Sequence, residues 1–277
     1  MKTNGCQTEY GLLRSVLLCE PLFMKIEEPI NETQEHYKEE NIDVEVAKSQ
    51  HKDLVKALKQ EGIDVHLLPA REDLPEQVFT RDIGFTIDET IYIGALKREI
   101  RQGEEQILKE FLTDNTYKFQ EIKEGTIEGG DVMIDENIVY VGDSSRTSLS
   151  SIDQLKLAHP NRELELIKFD EAYLHLDCVF NPLSPEVALI YRDAIDREDV
   201  RRLESRYQLI DVSEEEQFTL ATNVLSIGKG KIIALPQNKE TNEKIVQAGF
   251  EIIEVDLSEI IKSGGAFRCV TMPIERN

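Results

Sequence analysis

The sequence predicts a single-domain α/β propeller over residues 1–277, built from hairpin–helix–strand units at near five-fold symmetry. Three observations carry that prediction. A strand–turn–strand pattern at 84–94 recurs at 131–142, and two further hairpins follow at 179–191 and 224–235. Their turn centres, at 88, 135, 185 and 229, are 47, 50 and 44 residues apart, a period that marks stacked or radially arranged units. Between the hairpins lie helical patterns with charged faces, each followed by a short strand.

Taken in order, residues 12–18 form an apolar N-terminal strand, and 27–43 are polar and acidic. An acidic surface loop is the commoner explanation of such a stretch; a substrate lid is the functional alternative. A helix over 46–58 ends at Gly62, and a strand at 65–68 follows. After the 84–94 hairpin, Ile107, Leu108 and Phe111 form the apolar side of a helix over 104–111. A helix over 241–247 ends at Gly249 and leads to a strand at 251–255. Pairing the 12–18 strand with a C-terminal strand around Val270 would complete a fifth unit and remove two exposed edges.

Composition narrows the function. With 54 acidic and 32 basic side chains the net charge is −22, which argues against nucleic acid and anionic membranes as partners. No apolar run approaches the roughly 18 to 20 residues that span a bilayer, and the start of the chain carries no leader-like apolar stretch. The four cysteines, at 6, 19, 178 and 269, have no C-x-x-C spacing and fit a reducing cytoplasm. The oligomeric state is left open, a homodimer included.

The chemistry-bearing residues precede the turns. Asp82, Glu128 with Asp131, and His175 with Asp177 each lie shortly before a turn centre, so rotation-related units would bring them to one axis. The glycines between Glu128 and Asp131 imply a close backbone approach. If His175-Leu176-Asp177 is a strand, its two polar side chains share one face. Gly264-Gly265 precedes Arg268-Cys269, which suits a thiol presented at a strand entry, with Arg268 and a histidine lowering its pKa. Two chemistries use this set. His175, Asp177, Glu128 and Cys269 could bind a metal, although only one histidine is suitably placed and many carboxylates against one imidazole favour harder ions, which a thiolate serves poorly. Alternatively Cys269 is a nucleophile, His175 its acid/base and Glu128 the residue orienting His175. Asp82 and Asp177 would then hold a planar cation such as a guanidinium, each carboxylate accepting two parallel hydrogen bonds.

The motifs Phe79-x-x-Asp82, Glu128-Gly-Gly-Asp131, Ser144-x-Arg146-Thr147, His175-x-Asp177 and Gly264-Gly-x-x-Arg268-Cys269-x-Thr271-x-Pro273 resemble, in this order, the guanidino-modifying enzymes of the pentein superfamily. These comprise dimethylarginine dimethylaminohydrolases, arginine deiminases and amidinotransferases. The resemblance implies a five-unit propeller, a small cationic guanidino substrate and covalent catalysis without metal or organic cofactor. Cys269 would attack the guanidinium carbon and His175 would protonate the departing amine, leaving a thiouronium-type adduct that water resolves. Glu128 would position His175, Phe79 would stack on the planar group, and Asp82 and Asp177 would hold it. Arg146 would take a substrate carboxylate, with Arg98 or Arg101 beside it, and Asp131 joins the candidate substrate ligands. The length is that of a dimethylarginine hydrolase, whereas Asp177 and the Arg-Cys-x-Thr-x-Pro ending resemble deiminases. A guanidine hydrolase with its substituent open is the expected function. An amidinotransferase using an amine acceptor is the alternative, and a non-catalytic binding module of the same fold is a third, more distant one.

Overall fold

The structure, a computed structural model, describes residues 4–277; the first three residues of the stretch read above for a leader lie outside it. Its strands form five three-stranded sheets. In the first unit β1 (Leu13–Cys19) is followed by a short α1 (Glu32–Tyr37), then α2 (Val44–Gln60) and β2 (Asp64–Leu68), which lies parallel to β1. The second joins the hairpin β3 (Gly84–Ile87) and β4 (Thr90–Ile93) through α3 (Glu104–Asp114) to β5 (Phe119–Glu121). The third runs β6 (Val132–Asp135), β7 (Ile138–Asp143), α4 (Leu149–Ala158) and β8 (Glu163–Lys168). The fourth runs β9 (Phe180–Pro182), β10 (Val187–Ile190), α5 (Arg197–Glu204) and β11 (Gln208–Asp211). After α6 (Glu214–Phe218) the fifth follows as β12 (Leu225–Gly228), β13 (Lys231–Ala234), α7 (Lys239–Gln247) and β14 (Glu251–Glu254). Finally β15 (Met272–Arg276) returns antiparallel to β1, so the first sheet takes strands from both ends of the chain.

In each unit the hairpin is antiparallel and the strand after the helix pairs parallel with the hairpin's inner strand. A parallel partner requires a crossover, and the helix supplies it. Hairpin strands such as Gly84–Ile87 and Val187–Ile190 are buried along their whole length, whereas β14 is exposed at both ends. The near-continuous apolar runs of the hairpins are therefore a consequence of burial on both faces.

Helix α2 shows how sequence sets an element. Asp43 caps its first turn by accepting from the N–H groups of Glu45 and Val46, and Ala47, His51, Leu54 and Leu58 recur on its buried face. Each fully buried leucine there contributes about 2 kcal/mol. Helices α4 and α5 escape a periodicity reading for different reasons. Leu149 and Leu157 of α4 are exposed, which blurs its amphipathic face, and α5 buries only Val200 and Leu203 among its apolar residues.

The segment 27–43 lies at the surface as expected, its glutamates Glu27, Glu28, Glu32, Glu35, Glu39 and Glu40 exposed, but it carries the short helix α1 and is anchored at two points. Asn31 caps α1, and the wholly buried Gln34 donates to Glu76 Oε1 and to Ser263 Oγ, at 2.8 and 2.7 Å. Asn41 pins the other end by bonding both the N–H and the carbonyl of Ile26. Among its polar residues Gln34 alone is buried.

Short segments before the first strand of each hairpin link the units. Arg81 N–H donates to Cys269 O, Gly129 N–H to Asp82 O, and Leu176 N–H to Asp131 Oδ1. The Asn223 amide donates to Asp177 O, while its Oδ1 accepts from the N–H groups of Arg268 and Cys269. These bonds pass through all five units and return to the first, so the residues before the hairpins are held at one place.

Candidate active site

Cys269 sits on a tight turn in which Val270 N–H donates to Ala266 O and Thr271 Oγ1 to Phe267 O. The strand entry expected for the thiol is thus a turn, and β15 begins three residues later at Met272. Gly265 is required there: a Cβ on it would stand 2.9 Å from Cys269 Cβ and collide with the Phe79 ring.

His175, Glu128 and Asp82 meet beside this turn. The His175 ring faces a carboxylate from each nitrogen, Nε2 at 2.7 Å from Glu128 Oε2 and Nδ1 at 3.5 Å from Asp82 Oδ1. Gly130 permits the approach, since a Cβ would lie 2.6 Å from His175 Nδ1. His175-Leu176-Asp177 does not form the strand expected. His175 is extended and leads into a 3-10 turn over Leu176–Cys178, because Asp131 Oδ1 takes the N–H of Leu176. Both polar side chains still reach the site, and Asp177 lies 3.7 Å from Cys269 Sγ.

Phe79, Asp82, Cys269 and Gly265 line one narrow cavity, together with Ile30, Asn31 and Glu76. Asp82 Oδ1 and His175 Nδ1 are fully buried and have no hydrogen-bond partner among the described residues. They face each other at 3.5 Å, an ion-pair distance without a hydrogen bond, and buried polar atoms left in this state are costly, so a hydrogen-bonding ligand beside them would complete both.

Other expected ligands are placed differently. Asp131 is saturated by Ser144, Thr147 and the N–H of Leu176, so it holds the scaffold and is not open to substrate. Arg101 is not open either: its Nε and Nη2 donate to Glu104, at 3.0 and 2.8 Å, and its Nη1 donates to Asp82 Oδ2 at 2.5 Å. Arg146 donates from Nη2 to Ile30 O and stands 3.5 Å from Glu128 Oε1, with the exposed Arg98 beside it in a neighbouring cleft. Arg268 turns from the thiol, its Nη1 donating to Glu9 Oε2 and its Nε 3.8 Å from Asp177 Oδ2.

Asn223 was not singled out by the sequence. It is fully buried, and it fixes the backbone of Cys269 and of Asp177 at once. Its place just before the first strand of the fifth hairpin matches that of the acids in the other units. That position is the signal by which it could have been found.

The electrostatics also correct the expectation of an activated free thiol. Burial pushes the Cys269 thiol well above its ordinary value, and Asp177, Cys178 and Asp82 push it the same way. Burial likewise raises Asp177, against Arg268 and His175. For His175, burial would lower the pKa, but Asp82, the hydrogen bond to Glu128, Asp131 and the Glu128 charge overcome it and raise it to about 10. Burial disfavours ionised Glu128, yet His175 and Arg146 hold its carboxyl below the usual range. The resting site therefore pairs a neutral thiol with an imidazolium. A bound cation beside Asp82 and Asp177 would favour the thiolate.

Asp82, Glu128 and His175 can each bring one ligand atom within 4.8 Å of the others, a spacing a metal ion could use. The donor set fits poorly, because it offers a single histidine and two carboxylates already engaged, Glu128 Oε2 by His175 Nε2 and Asp82 Oδ2 by Arg101. Asp177 and Cys269, members of the alternative metal set weighed above, do not join this group among the described residues.

Residues 20–276 match the family described as N,N dimethylarginine dimethylhydrolase, eukaryotic. The chain is 52% identical over 271 residues to the protein YkgA of Bacillus subtilis, covering 98% of this chain and 95% of that one. It is 27% identical over 231 residues to the N(G),N(G)-dimethylarginine dimethylaminohydrolase of Pseudomonas aeruginosa, covering 82% and 87%. The solved N-terminal domain of ArgZ, a cyanobacterial arginine dihydrolase bound to product, superposes with a TM-score of 0.86 at 28% identity, covering 95% and 97%. No helix among the described residues is long and apolar enough to cross a membrane.

Proposed function

Since this chain belongs to the N,N dimethylarginine dimethylhydrolase family, among the guanidino-modifying enzymes of the pentein superfamily, we propose that it hydrolyses a C–N bond of arginine or an arginine-like guanidino compound on a five-unit propeller. The observation that carries the reading is the pair of buried atoms without a hydrogen bond, Asp82 Oδ1 and His175 Nδ1, which face each other at 3.5 Å beside the cavity that holds Cys269. Asp82 is an acceptor there, and protonated His175 is a donor.

A guanidinium in this cavity donates N–H bonds to Asp82 Oδ1 and to Asp177, with its carbon against Sγ and its plane against Phe79. Its charge offsets the carboxylates that hold the thiol neutral, the Sγ proton leaves to solvent as the substrate binds, and the thiolate attacks the central carbon. The Nδ1 proton of His175 passes to the departing nitrogen as that C–N bond breaks, which leaves a thiouronium on Cys269. Neutral His175 then takes a proton from water. The hydroxide adds to the same carbon, the C–S bond breaks, and a ureido product leaves with the thiolate restored. Glu128 keeps the His175 ring in place through both proton transfers.

Incubation with a panel of guanidines should yield a ureido product with ammonia or an amine. Absence of any ureido product sinks the hydrolase reading, and transfer to an added amine would make the chain an amidinotransferase. Asp177 sharpens the panel, because it needs N–H donors on the nitrogen it faces. Asp177→Ala should cost unsubstituted guanidines roughly tenfold more in kcat/KM than Nω,Nω-dimethylated ones. Equal losses would remove Asp177 from substrate recognition.

A further inference from the structure

We propose that Arg268 is a positioning residue for substrate recognition: held by Glu9, it stands as the counter-charge of Asp177 without hydrogen-bonding it, which leaves both Asp177 oxygens open to the N–H groups of a guanidinium. This deepens the hydrolase reading and rests on it for the place of the guanidinium.

The two carboxylates beside the thiol are each backed by an arginine, and each arginine is held by a further carboxylate. Behind Asp82 stands Arg101, whose Nη1 donates to Asp82 Oδ2 and whose Nε and Nη2 donate to Glu104. Behind Asp177 stands Arg268, whose Nη1 donates to Glu9 Oε2 at 2.9 Å and to Asn181 Oδ1 at 3.4 Å. All of these residues are buried. The second arrangement differs from the first in one respect. Arg268 Nε lies 3.8 Å from Asp177 Oδ2, an ion-pair distance too long for a hydrogen bond, and neither Nε nor Nη2 has a hydrogen-bond partner among the described residues. Glu9 is itself fixed, because its Oε1 accepts from Arg81 Nη2 and from the N–H of Ile134.

Asp177 needs such a neighbour. Its oxygens receive only weak thiol donors, Cys178 and Cys269, each at 3.7 Å. Burial disfavours its ionised form and Asp82 adds to this, whereas Arg268, His175 and Arg81 favour it. A direct hydrogen bond from Arg268 would occupy an acceptor that the substrate uses; a charge held at 3.8 Å does not. The sign of the effect separates this role from plain repulsion. Arg268 and a guanidinium are both cations, so deleting Arg268 would tighten binding if it acted on the substrate through space alone. Acting through Asp177, its deletion weakens binding.

Calorimetry on the full-length Cys269→Ala chain measures this apart from the chemistry, with arginine, Nω,Nω-dimethylarginine and butylguanidine as ligands. Arg268→Gln should weaken arginine binding roughly tenfold, while Arg268→Lys, which keeps the charge, should stay within about threefold of the parent. In an Asp177→Asn background, Arg268→Gln should change the affinity by less than about twofold. The loss should also be larger for arginine than for the dimethylated compound, the selectivity expected of Asp177 itself. Arg268→Met, which fills the space without a polar group, repeats the cycle if the glutamine variant does not fold. Tighter binding by Arg268→Gln would overturn the inference, as would the same loss with and without Asp177. If the coupling is found but the wild-type chain hydrolyses none of the three, the hydrolase reading falls and the role of Arg268 stands. If the wild type hydrolyses them and the coupling is absent, the reverse holds. No binding by any of them overturns both.

Discussion

Cys269→Ser should lower kcat/KM by about 10⁴-fold or more, with the fold unchanged. A serine fits the space of the thiol, and the bonds that hold the turn are made by backbone groups and by Thr271. What is lost is the nucleophile. A hydroxyl has no accessible anion near neutral pH, and the surrounding carboxylates that already push the thiol upward would oppose an alkoxide more strongly. His175 cannot act as base for it, because the ring is held as imidazolium by Asp82, Glu128 and Asp131. The serine variant should therefore bind guanidines without turning them over, and its melting temperature should stay within a few degrees of the parent. A variant retaining a tenth of the parent activity would show that sulfur is not the attacking atom.

Glu128→Gln should reduce kcat by about 10²-fold, the usual contribution of a positioned acid/base, and change the pH profile. The amide can still accept from Nε2, but the charge that helps hold His175 protonated is gone. The pKa of His175, about 10 in the parent, should fall, and the alkaline limb of kcat should move to lower pH with it. Stability has a matching sign. The His175 pKa is raised above its unfolded value near 6.5, so its contribution is complete below that pH and fades as pH climbs toward about 10. Glu128 is depressed, so its contribution is complete above its unfolded pKa and fades on acidification. The stability gap between parent and variant should be widest near pH 5 to 6, by about this linkage argument, and narrow on both sides. A gap independent of pH, with an unmoved alkaline limb, would make Glu128 a packing residue.

Much of this arrangement was legible in the residues. The hairpins at 84–94 and 131–142 read correctly because strands buried on both faces keep uninterrupted β-branched runs, and the pairing of the two chain ends followed from the missing fifth unit. The meeting of Asp82, Glu128 and His175 followed from their shared place before the turns, and Cys269 was marked by the glycine pair ahead of it. Other features depended on contacts that pattern cannot show. His175-Leu176-Asp177 alternates like a strand, but three residues are too few to separate a strand from a 3-10 turn once Asp131 captures the Leu176 N–H. Asn223 was passed over because an amide has no titration to attract notice, although its placement equals that of the acids. Arg101 read as a free cation, yet Glu104 follows it by three residues, the spacing of a local ion pair. The acidic stretch 27–43 is exposed as its composition indicates, but nothing in that composition distinguishes Gln34, whose amide reaches Glu76 and Ser263.

The covalent adduct is the centre of the account. Rapid acid quench of the wild-type chain during turnover of a guanidine, followed by intact-mass and peptide mass spectrometry, tests it most directly. The expected result is a transient mass increase equal to the amidino carbon with its remaining substituents, confined to the peptide that contains Cys269. It should decay as ureido product accumulates and be absent in Cys269→Ser. Product forming at the same rate with no modified Cys269, or with the added mass on another residue, would contradict the mechanism.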